Sequence, residues 1–388
     1  MSVIDVQELV ILDDDDYGQP EQIKRDPQLI EEAFDRLKAS NSPDAMNELS
    51  RLSGKDKNRA LMRQLGLIPI LCKTLATANP PNLNEQQAAA LHLLSCILQN
   101  LPSREEVRRK GGIDTIIKLL ALQDEKQIGE VLLCAAYLAD NTKNRTTLRS
   151  NGILEVAVPK MKQLTGVNLQ NVFSLIASMS QGDKKTQDQV VKLGAIPIIL
   201  DGVMSQDPGV RNAAVQAIGA VSSNNRKVQG LARKSKPALT AMVNMLRDPI
   251  ADHRAQAASV IGYLTENDFS NQVAFQKIGV LDAITACLSN GNESLQVKEK
   301  CCGLLVALSN GNASVQKAFT AFPTLVACTQ APAAGVQAQS FNAISELCSN
   351  NSPNSDQFIN HGVLQAIQNM LQSDNEIVQY RATNALYS

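Results

Sequence analysis

The sequence predicts an all-α protein built as a right-handed α-solenoid of about eight three-helix repeats. Three observations carry this prediction. Apolar residues recur at helical spacing along most of the chain, the composition is 44% hydrophobic but only 3% aromatic, and a short glycine motif returns at a nearly constant interval. A solenoid grows by stacking similar units, so 388 residues fit one array without division into globular domains.

The stretch 192–224 shows one unit most clearly. Gly194 precedes an apolar helix that has Pro197 in its first turn, and Asp207 and Pro208 mark the break after that helix. The next helix has apolar residues at helical spacing on one face: Val210, Ala213, Ala214, Ala217, Ile218 and Val221. Such a unit cannot bury its own apolar surface and therefore requires neighbours of the same kind.

The glycine motif has a period near 42 residues. Six glycines precede an apolar helix in the same way: Gly66, Gly112, Gly152, Gly194, Gly279 and Gly362. Two slots, near Lys236 and Phe322, lack the glycine, and successive slots are 40–46 residues apart. This period indicates armadillo or HEAT repeats.

The polar residues that precede most of these slots favour a three-helix unit. Polar residues stand eight residues before the slot and are expected to be N-caps of a short helix that ends at the glycine: Asn58, Asn144, Thr186, Asn271, Ser314 and Asn354. Three helices per unit with a glycine after the first resembles the armadillo repeat over roughly residues 41–388, whereas HEAT repeats have two helices. Pro159 predicts a kinked or shortened second helix, and Ser235–Pro237 predicts a lengthened turn.

The chain divides into a tail and the array. Residues 1–26 predict a disordered acidic tail because Asp13–Asp16 form an uninterrupted acidic run. The alternative for this run is a short linear ligand, for this solenoid or for another. Residues 27–388 predict the solenoid, which begins with a capping helix that has Asp26 as its N-cap and Pro27 at its first position.

Composition and charge exclude several function classes. Lys plus Arg number 37 against 38 for Asp plus Glu, so the whole chain lacks the basic field expected of a nucleic-acid-binding protein. We find no signal peptide, no apolar run near the ~20 residues of a membrane span and no lipid-anchor motif, and we predict a cytoplasmic protein, with the nucleus as the alternative.

The reactive residue types form no pattern of a catalytic or metal site. His92, His253 and His361 fall in separate repeats, and the eight cysteines lack metal or redox spacing, so they are expected to be reduced core residues. Adjacent Cys301 and Cys302 lie near Lys298 and Lys300, which leaves a low-pKa thiol as the alternative there. We predict no metal, no cofactor and no enzymatic activity.

The armadillo resemblance implies that third helices line a concave groove. In armadillo proteins this helix often carries a Trp and an Asn four residues apart, as in the importin-α-like members that hold lysine-rich peptides. No unit here has that pair, and the aligned positions form a neutral strip of amides and hydroxyls. The predicted groove residues are Asn171, Ser174, Ser178, Asn212, Gln216, Gln256, Ser259, Tyr263 and Asn342. A solvated helix face is the alternative for this strip.

Two sets of basic residues stand out. Arg211, Arg254 and Lys298 recur nine residues before the aligned Asn position, about half a turn from the groove, so we interpret them as structural. A second set forms a possible basic patch: Arg226, Lys227, Arg233, Lys234 and Lys236. The patch is expected to be a solubilising ridge or, alternatively, a dock for an acidic partner, a phosphate or an anionic lipid.

These features predict a scaffold or adaptor that binds an extended segment of a protein partner in the groove. Two alternatives stay open. One is a non-catalytic regulator that promotes nucleotide exchange on a small GTPase or an Hsp70-type chaperone. The other is a structural component of a ciliary or cytoskeletal assembly.

Overall fold

The computed structural model of the protein describes residues 26–388, and the predicted tail before Asp26 lies outside the described residues. The described part contains 26 helices and no strand. Two helices, α1 (Asp26–Ser40) and α2 (Pro43–Leu52), precede eight consecutive sets of three. The prediction of an all-α solenoid with eight three-helix repeats is confirmed.

Helices are numbered along the chain. The first helices of the repeats are α3 (Asp56–Gln64), α6 (Leu101–Arg109), α9 (Thr142–Ser150), α12 (Lys184–Lys192), α15 (Arg226–Arg233), α18 (Phe269–Lys277), α21 (Ala313–Ala318) and α24 (Ser352–Asn360). The second helices are α4 (Leu67–Ala76), α7 (Gly112–Leu119), α10 (Ile153–Lys160), α13 (Ala195–Val203), α16 (Lys236–Met245), α19 (Val280–Ser289), α22 (Phe322–Cys328) and α25 (Val363–Met370). The third helices are α5 (Glu85–Ile97), α8 (Glu125–Ala139), α11 (Gly166–Ser180), α14 (Pro208–Ser222), α17 (Ala251–Thr265), α20 (Leu295–Ser309), α23 (Ala334–Cys348) and α26 (Glu376–Tyr387).

Third helices form one continuous layer, in which each packs against the third helix of the next repeat. Small residues allow this close packing. A Cβ added at Gly219 of α14 would lie 2.6 Å from Cγ2 of Val260 in α17, so this helix–helix contact leaves no room for a side chain at position 219. Second helices pack beneath the third helices, and Ala213, Ala214 and Ala217 of α14 are completely or almost completely buried.

The first-to-second helix turn requires a left-handed residue in most repeats. Gly194 has φ of 76° and precedes α13 directly. In the second repeat the left-handed residue is Gly111, with φ of 73°, and not Gly112 as predicted. Gly112 is the first residue of α7, where an added Cβ would lie 2.6 Å from Cγ1 of Val107. Gly111 therefore provides the left-handed turn and Gly112 the close packing against Val107. The prediction that Gly112 is the turn residue is wrong.

Two irregular turns also differ from expectation. Lys234 and Ser235 alone separate α15 from α16, the usual two-residue connection, so the predicted lengthening is wrong. The longer connection lies in the seventh repeat, where α21 ends at Ala318 and α22 begins at Phe322.

Pro159 lies one residue before the end of α10. Its missing N–H and its ring therefore affect only the last turn, and α10 is as long as α7 and α25.

The predicted N-caps of the first helices are wrong by two or three residues. The side chains that accept from the first backbone amides are those of Asn141, Asp183, Asn225, Asp268, Asn312 and Asn351. The residues predicted as caps lie within the first turn instead, where all except Ser314 are buried. Several of those buried side chains connect neighbouring repeats.

Candidate partner-binding groove

Two adjoining depressions lie on the layer of third helices, each of about 350 Å³. The first spans α11, α14 and α17, and its lining includes Ser178, Gln216 and Ala220. The second spans α17, α20 and α23, and its lining includes Gly262 and Gly303. Tyr263 borders both depressions, and we call the pair the central groove. Each depression is large enough for a side chain of a bound segment.

The floor of the central groove is mostly small and uncharged. Gly262 lies in the interior of α17 with no atom within 4 Å of the position its Cβ would take. A glycine in a helix interior costs about 1 kcal/mol relative to alanine. Glu299 and Lys300 at the rim form an ion pair with each other at 3.2 Å. Glu266 is the further charged residue of the lining, so the central groove has a formal net charge of −1 and offers shape and polar groups more than charge.

Three predicted groove residues in α11 differ in their surroundings. Asn171 is buried, and its side-chain amide donates to the carbonyl of Gly129 in α8 at 3.0 Å. It joins two helices and does not face the groove, so that prediction is wrong. Ser174 is partly exposed and borders a smaller depression beside α14. Ser178 lines the central groove, and its hydroxyl donates to Asp140 at 2.8 Å.

Hydrogen bonds connect the three predicted groove residues of α14 and α17, and Asn212 contributes only its main-chain carbonyl. Nε2 of Gln256 donates to the carbonyl of Asn212 at 3.0 Å, and Oε1 of Gln256 accepts from Nε2 of Gln216 at 3.2 Å. Gln256 is half-buried between the helices, and only Gln216 is well exposed. Of these three predicted groove residues, Gln256 and Asn212 are therefore partly buried, and Oδ1 of Asn212 is buried without a hydrogen-bond partner in residues 26–388.

The remaining predicted positions lie on α17 and α23. Tyr263 is 43% exposed. Ser259 borders both depressions, and its hydroxyl donates to the carbonyl of Ala255. Asn342 accepts a hydrogen bond from Arg381 of α26 at 2.9 Å and does not line the central groove.

The predicted basic patch is divided by the structure. Arg226, Lys227, Lys234 and Lys236 are exposed. Arg233 instead donates to Asp268 at 3.1 Å and to the side chain of Asn271 at 3.2 Å, and so joins α15 to α18. Arg233 is therefore a structural residue and not part of a free patch.

Sequence reasoning missed a ladder of buried amides along the first helices. Asn271 in α18 donates to the carbonyl of Leu264 at 2.7 Å and to that of Gln229 at 3.2 Å. Asn354 in α24 makes the equivalent pair of bonds to Leu347 and Gln316, each at 2.9 Å. Each asparagine thus joins its own first helix to the preceding third and first helices.

Four glutamines extend this ladder, which we call the amide ladder: Gln187, Gln229, Gln272 and Gln316. Gln272 donates to the carbonyls of Ala307 and Asn310 at the end of α20, at 2.9 and 3.2 Å. The last carbonyls of a helix have no partner within the helix, so these side chains satisfy them. The sequence signal is a glutamine four residues after the N-cap in four successive repeats.

The histidines and cysteines of the described residues form no reactive cluster. No group of three or more His, Cys, Asp or Glu side chains between residues 26 and 388 is placed to hold a metal ion. All eight cysteines are free thiols. The hydrogen bond with Cys287, together with burial, holds the pKa of Cys301 well above its usual value. The hydrogen bond with Cys328, together with burial, does the same for Cys302, so neither is the low-pKa thiol considered as an alternative.

In residues 26–388, none of the helices combines the length and the apolar character required to cross a membrane.

No protein-family model matches the chain, and no curated protein matches it. Solved structures do match it. One engineered protein has a TM-score of 0.78 at 18% identity, over 92% of this chain and 88% of its own. A second engineered protein has a TM-score of 0.57 at 22% identity, over 60% and 97% respectively.

A third similar structure comes from work on a phosphorylation switch in the interaction between cadherin and β-catenin. Its TM-score is 0.69 at 17% identity, over 94% of this chain and 73% of its own. Identities this low support the shared fold alone. This chain is thus similar to helical repeat proteins, one of them from a study of protein–protein binding.

Proposed function

We propose that this protein is a non-enzymatic scaffold or adaptor of the armadillo type, which binds an extended segment of a protein partner in its central groove. The observation that supports this proposal is the pair of adjoining, weakly charged depressions that Tyr263 separates. Side chains two residues apart on an extended segment point to the same side about 6.6–6.8 Å apart. The two depressions are centred on α14 and α20, two helix spacings or ~16–20 Å apart. Side chains six residues apart on such a segment, ~20 Å, can therefore enter one depression each.

The exposed groups at this site fit a peptide backbone. Gln216 has a side-chain amide with both donor and acceptor capacity, and its oxygen accepts no hydrogen bond from residues 26–388. An extended segment has unpaired backbone donors and acceptors that lose water on binding. A hydrogen bond to such a group typically contributes about 1 kcal/mol, and leaving it unmade in a desolvated site costs about 1–3 kcal/mol.

A variant that fills the groove tests this function. Gly262→Leu places a side chain in the open space of the second depression and replaces a helix-interior glycine with a better helix former. We expect it to be at least as stable as the wild type and to lose at least tenfold in recovery of the main partner. Affinity purification from cell extract with quantitative mass spectrometry measures that recovery.

Gly230→Leu is the matched control. Gly230 is also in a helix interior, with only the end of the Arg233 side chain within 4 Å, and it lies in α15 outside the groove. We expect its partner recovery to equal that of the wild type, in both low and high salt, because the groove carries little net charge. Full recovery of the partner by the Gly262→Leu variant would show that the central groove is not the binding surface.

A further inference from the structure

Basic side chains occupy the N-terminal ends of three successive first helices. They are Lys143 in α9, Lys184 and Lys185 in α12, and Arg226 and Lys227 in α15, and we call these five residues the basic edge. All five are exposed. Of these five residues, only Lys184 forms an ion pair within residues 26–388, with Asp188 at 3.1 Å. The nearby acids Asp140 and Asp183 are paired with Arg104 and Arg149.

This placement does not favour the helices themselves. The N-terminal end of a helix has a partial positive charge, so basic residues there are unfavourable and acidic residues are favourable. The first two residues of the later first helices are uncharged, as Phe269 and Ser270 in α18 show. Helix stability therefore does not explain the basic edge, whereas an oppositely charged group bound there would offset the unfavourable placement.

The opposite charge is concentrated at the start of the same chain. Residues 1–25 contain seven acidic and two basic side chains, a formal net charge of −5, and Asp13–Asp16 supply four of the acids. Because the whole chain has a net charge of −1, residues 26–388 carry a net charge of +4. The array and the segment before it are therefore oppositely charged.

The acidic run lies within reach of the basic edge. Oδ2 of Asp26 accepts from Nζ of Lys55 at 2.8 Å and from Asn58 at 3.1 Å, so the chain enters α1 beside the N-terminal end of α3. Ten residues from Asp16 to Asp26 span at most ~33–36 Å. With ~8–10 Å between packed neighbours, α9 is ~16–20 Å and α12 ~24–30 Å along the array from α3. Reaching α15 requires almost complete extension.

We propose that Asp13–Asp16 bind in cis to the basic edge at α9 and α12. The segment would cover Lys143, Lys184 and Lys185 and would compete with any separate acidic partner for them. This contact is independent of the central groove, because it uses first helices and the groove uses third helices. It is electrostatic, so salt should weaken it strongly.

Carbodiimide cross-linking of the full chain tests the proposal, because this reagent joins a carboxylate directly to an amine that it contacts. We expect cross-links from the peptide containing Asp13–Asp16 to Lys143, Lys184 or Lys185 at 50 mM NaCl, reduced at least fivefold at 500 mM. In an equal mixture of ¹⁴N- and ¹⁵N-labelled chains, both peptides of every cross-linked pair should carry the same nitrogen isotope. Mixed pairs would show binding between chains and overturn the cis assignment.

A charge-reversed variant supplies the specificity test. Lys143→Glu with Lys185→Glu leaves Lys184 as the reporter, and its cross-link should fall at least fivefold. Both substitutions put an acid in the first turn of a helix, which favours the fold. The control Lys277→Glu with Lys317→Glu changes two exposed lysines on α18 and α21 and should leave the Lys184 cross-link unchanged. Equal losses in both variants, or no cross-link to the edge in the wild type, would contradict the proposal.

Discussion

At the residue scale, the side-chain amides of asparagine and glutamine have two roles. Side-chain amides hold successive repeats together where they are buried, as Asn271 does, and they face the groove where they are exposed, as Gln216 does. The sequence analysis recognised only the second task. Asn and Gln are polar in any hydropathy pattern, so a pattern of apolar spacing cannot show that such a residue is buried with its hydrogen bonds satisfied.

Replacing Asn271 with Ala should destabilise the array by about 1–3 kcal/mol, because it removes a buried donor that serves two carbonyls. Ser270→Ala, at the exposed preceding position of α18, should change the free energy of unfolding by less than about 0.5 kcal/mol. Hydrogen exchange of α17 and α18 measures both effects locally. Equal exchange rates in the Asn271→Ala variant and the wild type would show that the bonds contribute little.

At the element scale, charged side chains join the repeats at the ends of third helices. Arg254 in α17 donates to both oxygens of Glu293, at 2.8 and 2.7 Å, and also to the carbonyl of Asp248 at 2.6 Å. Glu293 lies just before α20, so this pair joins two repeats. The interpretation of Arg254 as structural, made from its angular position on the helix, agrees with this contact.

The Arg254–Glu293 pair makes the stability of this junction depend on pH. Burial alone would raise the pKa of Glu293, but hydrogen bonds from Arg254 and from the Ser294 amide outweigh burial and hold the pKa below its ordinary value of 4.5. A lowered folded-state pKa stabilises the fold fully above the ordinary pKa, and this contribution is lost as the pH falls through the folded-state pKa.

Glu293→Gln should therefore destabilise the protein by about 1.5–3 kcal/mol at pH 7, the range for a hydrogen bond to a charged group. The difference from the wild type should shrink steadily below pH 4.5. Glu299→Gln is the control, since Glu299 forms a more exposed pair with Lys300 that contributes at most about 1 kcal/mol. Urea unfolding at pH 7 and pH 3.5 measures the two values, and a difference that does not change with pH would contradict the assignment.

At the scale of the whole molecule, the repeats contact mainly their neighbours, so stability is approximately a sum of local terms. A chain that ends at Asn310 lacks the last two repeats and keeps the first six. We expect hydrogen-exchange protection in α8–α14 to equal that of the full chain, while α20 becomes less protected. Complete loss of the helical circular dichroism signal would show that the array folds as one cooperative unit.

The sequence analysis was accurate for features that repeat. The period near 42 residues and the glycine before six of the eight second helices led to the correct number of repeats, because one misaligned unit does not alter the pattern of eight. It was inaccurate where the exact position of one residue matters, as for the turn glycine (Gly111 and not Gly112) and for the N-caps of the first helices. Shifting a short helix by three residues almost preserves its apolar face, so spacing alone cannot separate Asn141 as a cap from Asn144 as a buried amide.

Of the four glutamines in the amide ladder, Gln229 has a buried side-chain oxygen that no donor in residues 26–388 reaches. Oε1 of Gln187 accepts from Asn225, and Oε1 of Gln272 accepts from Asn312, but Oε1 of Gln229 is buried and accepts no hydrogen bond from the protein. The reason is that Asp268, which has no amide, stands where the neighbouring repeats have asparagine. Nε2 of Gln229 donates to the carbonyl of Tyr263, so the same side chain holds the last turn of α17, which carries the residue between the two depressions. A buried acceptor without a donor costs about 1–3 kcal/mol, so this end of α17 is held at a free-energy cost that the Gln187 and Gln272 steps do not have.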